Sequence, residues 1–103
     1  MRIALIGGIA RSRNLLARAM HDRGHVLEVH DGEVGGRGAN ELESLVGRSD
    51  LVVISIGINS HGGALIAKDI ARRSGRPSVF IRKPSVSSLL RVARNLSPLD
   101  EAV

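Results

Sequence analysis

The fold is decided by residues 50–56, which read DLVVISI and carry the plainest strand signal in the chain. Val52, Val53 and Ile54 branch at Cβ, and this branching favours an extended backbone. The run does not alternate between polar and apolar residues, which is typical of a strand buried on both faces of a parallel sheet. We therefore predict that residues 50–56 form a central strand.

Three more short apolar runs predict the other strands of the sheet. They cover residues 2–6, which end at Gly7-Gly8, then residues 26–30, and finally residues 79–81. The intervening segments, and the one after the last run, have apolar residues at helical spacing. The predicted apolar faces consist of Leu15, Leu16, Ala19 and Met20; Leu42, Leu45 and Val46; Ala64, Leu65, Ala67, Ile70 and Ala71; and Leu89, Leu90, Ala93 and Leu96.

Short polar residues precede each helical segment and predict where the helices begin. Their side-chain oxygens accept hydrogen bonds from the first free amides of a helix. The predicted N-terminal caps are Ser12, Asn40, Ser60 and Ser85. Strands and helices therefore alternate four times along the chain.

This alternation predicts the α/β class, with parallel strands joined by right-handed crossovers and helices on both faces of the sheet. We predict a single small Rossmann-like, or truncated flavodoxin-like, domain of four parallel strands. The strand order 2-1-3-4 places the two most apolar strands in the middle. The 103 residues match one compact domain, which we assign to residues 1–96, followed by a polar C-terminal tail at 97–103.

Composition excludes several classes of function. The chain contains no cysteine, which removes disulfides, thiolate catalysis and cysteine-ligated metals. No apolar stretch approaches the roughly 20 residues that span a bilayer, and Met1 leads directly into a strand pattern. We therefore expect a cytoplasmic protein without a membrane partner. So small a domain gains stability by self-association, and we expect a homodimer.

The basic charge raises the question of a nucleic-acid partner. The net charge is +5, but the basic residues are scattered and Phe80 is the only aromatic residue. Proteins that bind single strands stack bases on aromatic side chains, and such platforms are missing here. We interpret the charge as a solvated surface enriched around an anion site and expect no nucleic-acid partner. Non-specific nucleic-acid binding is the alternative interpretation.

The predicted ligand site lies at the carboxyl edge of the sheet. In open parallel sheets, ligands bind at this edge where the strand order reverses, here between strands one and three. Arg82, Lys83 and Ser85 follow the fourth strand and open a helix, so cations and free amides meet there. Arg11 and Arg13 from the first helix start also belong to the predicted site. The alternative interpretation is an ordinary serine-capped helix with basic surface residues.

The third helix start predicts a metal ligand. If Ser60 caps this helix, His61 lies in its first turn beside Asn59, where the helix dipole disfavours a protonated imidazole. Neutral imidazole is the form that binds a metal or haem iron, and Gly62-Gly63 leave room for a flat ligand. The alternative is a solvent-exposed histidine that binds nothing.

His30 is the second candidate metal ligand. It ends the second predicted strand directly before Asp31-Gly32, a strong turn dipeptide. We interpret Asp31 as a turn residue and leave the role of His30 open. Asn59 and Ser60, beside His61, complete the predicted set of ligand-contacting residues.

The sequence lacks the residues that an enzyme needs. No nucleophile elbow, Ser-His-Asp order or pair of carboxylates is readable, and Gly7-Gly8 lacks the third glycine of the dinucleotide fingerprint. No P-loop is present either. We therefore expect a ligand-binding module in place of an enzyme.

Several segments carry a resemblance when they are taken in order. The Gly7-Gly8 turn, HDG at residues 30–32, RSDLVV at 48–53, Ser60-His61, and the ending from VFIR to SSLL at 79–90 resemble the bacterial Domain of Unknown Function 2325 family. The resemblance covers essentially the whole chain. It implies a small stand-alone Rossmann-like domain without an established catalytic activity.

The resemblance also implies haem binding, which is associated with that family. On this sequence it implies haem b, with His61 as the leading iron ligand and His30 as the second. In the family pattern a cysteine often precedes the Ser-His pair and an aspartate follows it. Here Ile58-Asn59 precede the pair and Gly62 follows, so this chain lacks the residues for any role that the cysteine or aspartate has in the family.

Two functions stand open at this point. The first is a non-catalytic module that binds haem b through a histidine, with its propionates on arginines, and that binds or senses a diatomic gas such as dioxygen. The alternative is a nucleotide- or phosphate-binding regulatory domain, which uses the Gly7-Gly8 turn and the helix start at Ser85.

Overall fold

The structure is a computed structural model that describes residues 1–7, 10–32, 35–56 and 61–95, with only the backbone described at residues 10, 11 and 61–63. Strands and helices alternate through the described chain, as the sequence predicts. In chain order they are β1 (Arg2–Ile6), α1 (Ala10–His21), β2 (Val26–His30), α2 (Gly38–Gly47), β3 (Leu51–Ser55), α3 (His61–Arg73), β4 (Ser78–Ile81) and α4 (Val86–Asn95).

The strands form one parallel sheet in the order β2-β1-β3-β4, which confirms the predicted topology. Ile3 pairs with Leu27 on one side and Leu51 on the other, so β1 lies between β2 and β3. All five residues of β3 are buried, whereas β4 is only partly buried. The most apolar run therefore occupies the interior of the sheet, and the shorter β4 lies at an edge.

Helices cover both faces of the sheet. Successive side chains of β3 point to opposite faces of the sheet. Val53 packs with Leu16 of α1 and Leu89 of α4, whereas Ile54 packs in the opposite layer. That opposite layer contains Leu42 and other buried residues of α2 and α3. Among the described residues, no helix is long and apolar enough to cross a membrane. Because each strand is followed by a helix, the carboxyl ends of the four parallel strands and the connections to the helices lie at the same edge of the sheet.

Two predicted helix starts are wrong. Ser12 lies inside α1, which already begins at Ala10, and Asn40 lies inside α2. The N-cap of α2 is Arg37, whose side chain makes no capping hydrogen bond. The amide of Gly38 instead donates to the carbonyl of Gly35, so a backbone turn leads into the helix without a side-chain cap. Ser60 lies outside the described residues.

Among the described residues, the helical faces are predicted correctly except at two leucines. Leu96 and the predicted tail at 97–103 lie outside the described residues. Leu15 is 69% exposed and Leu65 is 56% exposed. Each stands next to a residue directed at the sheet, and successive helical residues point about 100° apart, so Leu15 and Leu65 fall outside the side of the helix that packs on the sheet. In α1 the buried pair is Leu16 and Met20, four residues apart. Two adjacent leucines in the sequence do not determine which of them faces the sheet, and therefore leave the rotation of the helix about its axis open.

Gly75 ends α3 in a left-handed conformation, with φ of +70°. The amide of Arg76 donates to the carbonyl of Ala71, and the amide of Gly75 donates to that of Arg72, as in a Schellman ending. A Cβ at Gly75 or at Gly47 would meet no atom within 4 Å. The two glycines therefore differ in backbone conformation and not in available space.

We expect Gly75→Ala to lower the free energy of unfolding by about 1–2 kcal/mol, because an L-residue is strained in the left-handed region. Gly47→Ala is the matched control, since Gly47 lies in α2 without a positive φ and alanine is the better helix former. Urea unfolding of the two variants measures the difference. Equal destabilisation by both substitutions would contradict the role of the left-handed backbone.

Candidate functional site

The carboxyl ends of the strands bring four connections to one edge. Gly7, Asp31, Ile56 and Arg82 each follow directly after a strand. Gly7 has a φ of 90°, and its amide donates to the carbonyl of His30 over 2.7 Å, which ties the ends of β1 and β2 together. β1 and β3 are neighbours, and the helices that follow them, α1 and α3, pack on opposite faces of the sheet, so the predicted switch point lies between the carboxyl ends of these two strands.

A groove lies at the β4 side of this edge, between β4 and α4. Its volume of about 530 Å³ falls within the range of small-molecule sites, roughly 300–1,000 Å³. The structure brings the predicted Arg82, Lys83 and Ser85 together there, although their binding of a ligand stays a prediction. The groove is lined by Phe80, Ile81, Arg82, Lys83, Ser85, Ser88, Arg91 and Val92.

The groove is cationic. It contains Arg82, Lys83 and Arg91 but no acidic lining residue, and none of these cations forms an ion pair within the described part of the chain. Other arginines are neutralised, as Arg72 is by Asp69 over 2.7 Å. Unpaired cations around one concave surface attract phosphates and carboxylates.

The first turn of α4 adds hydrogen-bond donors to the groove. The hydroxyl of Ser85 accepts from the amide of Ser88 at 3.1 Å, and the Ser88 hydroxyl accepts from the amide of Ser85 at 3.0 Å. This reciprocal pair confirms Ser85 as the helix cap. In the described structure the amides of Val86 and Ser87 have no acceptor, so they remain available to an anion.

His30 is buried, with 9% of the residue exposed. Its Nδ1 accepts a hydrogen bond from the amide of Gly32 at 2.9 Å and lies 3.6 Å from an oxygen of Asp31. The Nδ1 lone pair is therefore used, and in the neutral ring the proton resides on Nε2. Iron binding by His30 stays a prediction, and it would require this hydrogen bond to break.

The remaining predicted site residues are not brought together by the described structure. Arg13 is exposed on α1 and does not line the groove. Asn59 and Ser60 lie outside the described residues, as do the side chains of Arg11 and His61. Within the described part of the chain, no three histidine, aspartate or glutamate side chains form a metal-binding group.

Sequence reasoning missed two residues at this edge. Arg91 lies three residues after Ser88, so helical spacing places both on the groove-facing side of α4, and this periodicity could have identified it. Ser55 is a hydroxyl residue at the end of the most apolar run, and its side chain is completely buried. A polar residue inside such a run was the available signal.

A second groove of about 450 Å³ lies along α2 and is lined by Arg37, Asn40, Glu41, Ser44 and Arg48. Its charges are mixed. Arg48 donates to the carboxylate of Glu28 at 2.6 Å, and this hydrogen bond lowers the pKa of Glu28 and raises the pKa of Arg48. The mixed charges make the lining of this groove less cationic than that of the groove at α4.

Residues 2–96 match the sequence model of a family described as uncharacterized protein conserved in bacteria (DUF2325). The chain belongs to this family. Two curated relatives, UPF0751 proteins of Desulfitobacterium hafniense strains DCB-2 and Y51, are each 29% identical over 92 residues. The alignment covers 88% of this chain and 90% of each relative. No solved structure matches the chain. Membership of the DUF2325 family confirms the resemblance, and neither the description of the family nor the names of these relatives mention a ligand.

Proposed function

We propose that this domain is a non-catalytic binding module for an anionic small molecule. The observation that carries the proposal is the groove at α4, where Arg82, Lys83 and Arg91 have no acidic partner among the described residues. The free amides of Val86 and Ser87 lie in the helix turn beside them. Cations and helix N-terminal amides together bind phosphate or carboxylate groups.

Haem b is the specific ligand we propose. The groove combines its cations with Ile81 and Val92, so it offers apolar contacts as well as partners for two propionates. Because the Nδ1 of His30 is used by Gly32, we propose His61 as the iron ligand. Bound haem would supply an iron atom able to bind a diatomic gas such as dioxygen.

A nucleotide or another phosphate compound is the second candidate. The free amides at the start of α4 favour it, because they are the donors that phosphate oxygens meet at a helix N-terminus. Such a ligand would use Arg82 and Lys83 but would need no histidine. The two candidates therefore share the anion site and differ in their dependence on His61.

Thermal unfolding with haem b and with ATP, side by side, tests the proposal. At about 100 times its dissociation constant a ligand adds about 2.7 kcal/mol of stability, which raises the Tm of a domain this small by several degrees. For haem b we also expect a Soret band that His61→Ala abolishes. An ATP-induced shift that survives His61→Ala would favour the second candidate. An unchanged midpoint with both ligands would overturn the proposal.

We also propose that the protein acts as a homodimer in the cytoplasm. Exposed apolar side chains such as Leu65 and Phe80 support self-association, and the lack of cysteine suits a reducing compartment. Light scattering of the purified protein tests the dimer. A monomeric mass at micromolar concentration would contradict it.

A further inference from the structure

Ser55 carries a buried hydroxyl that is unpaired within the described structure. The residue ends β3 and is 0% exposed, and its hydroxyl has no hydrogen-bond partner among the described residues. In proteins, the large majority of buried side-chain hydroxyls form a hydrogen bond, because a hydroxyl without one loses its bonds to water and gains nothing in their place. The hydroxyl of Ser55 is therefore a donor and an acceptor that no described residue pairs.

Its place in the sheet connects Ser55 to the candidate site. Strand alternation puts Ser55 on the same face as Val53, the face covered by α1 and α4. On β4 its register partner is Ile81, which lines the cationic groove. The hydroxyl thus lies at the carboxyl end of β3, between the strand that leads into α1 and the strand that leads into α4.

Ser49 shows what a structural serine does in this fold. It is also buried, at 3% exposed, but its hydroxyl donates to the carbonyl of Leu45 over 2.7 Å. The two serines are similar in burial and opposite in hydrogen bonding. Burial alone therefore does not explain the unpaired hydroxyl of Ser55.

We infer that Ser55 is the inner polar contact of the ligand site, where its hydroxyl donates to a phosphate or carboxylate oxygen. The inference rests on the proposed function and extends its site from the β4 edge inward by one strand. Arg82 and Lys83 hold the outer charges of the anion, and Ser55 contacts an oxygen at the switch point. A bound ligand would give this hydroxyl the hydrogen-bond partner that it lacks among the described residues.

The test compares Ser55→Ala with Ser49→Ala, and it uses haem b and ATP as probes. Removing an unpaired hydroxyl relieves a desolvation penalty, so Ser55→Ala should raise the Tm of the ligand-free protein by a few degrees. It should also weaken the bound probe roughly tenfold to a hundredfold, the effect of one hydrogen bond to a charged group. Ser49→Ala should lower the Tm and leave the affinity within about twofold.

Each outcome decides between the inference and the proposed function. A lower Tm in Ser55→Ala would show that the hydroxyl is already paired in the free protein and would overturn the inference. Unchanged affinity in Ser55→Ala, with binding lost in Arg82→Ala, would overturn the inference alone. Wild-type protein that binds neither probe would overturn the proposed function and the ligand role of Ser55 with it.

Discussion

Replacing Arg82 and Arg91 together with alanine is expected to weaken the anionic ligand by roughly two to four orders of magnitude. Each charge-assisted contact contributes about 1.5–3 kcal/mol, and contributions from separate residues add approximately. Both arginines line the groove at α4, and neither has an ion-pair partner in the described structure. Titration of haem b, followed by its absorbance, or of ATP, followed by calorimetry, measures the loss.

The control must remove the same charge from another part of the molecule. Arg23 follows α1, and Arg94 lies in the last turn of α4, so both are at the opposite edge of the sheet. The double replacement of Arg23 and Arg94 lowers the net charge equally and should leave affinity nearly unchanged at physiological salt, where the Debye length is about 8 Å. Equal losses in the two double variants would indicate general electrostatic attraction and would contradict a defined site.

The topology of the sheet was predictable because burial and strand composition agree. The run at residues 50–56 contains no charged residue after Asp50, so only an interior position accommodates it. Short βα units force parallel pairing, and the apolar β1 and β3 then occupy the middle. The helix rotations were harder to predict, because Leu15 and Leu16 are equally apolar and only the packing against the sheet distinguishes them.

The candidate site was predictable only where its residues are close together in the sequence. Arg82, Lys83 and Ser85 are near neighbours in the sequence and follow a strand, so their convergence is a local property. Arg91 joins them from the second turn of α4, and the pairing state of the Ser55 hydroxyl depends on every residue around it. The availability of Nδ1 of His30 to a ligand likewise depends on its hydrogen bond from the amide of Gly32, a contact that sequence spacing alone does not specify.

The integrity of the edge depends on the central strand beneath it, and Ile54→Ala is expected to show the largest loss of stability. Ile54 is fully buried and packs with Leu42 and Val46 of α2 and with Ile70 of α3. Its truncation leaves a cavity between two helices and the sheet, which typically costs about 2–5 kcal/mol. That is a large part of the total for a small domain, whose unfolding free energy is on the order of 5–15 kcal/mol.

Ile56→Ala is the matched control, because the same side chain stands two residues further along the chain and is 56% exposed. Its amide donates to the carbonyl of Ile81, a backbone contact that the substitution retains. We therefore expect a loss below about 1 kcal/mol, since an exposed side chain leaves no cavity when it is truncated. Urea unfolding followed by circular dichroism gives both values. Similar losses at Ile54 and Ile56 would contradict the burial of β3 between two helical layers, and the position of the ligand edge derived from it.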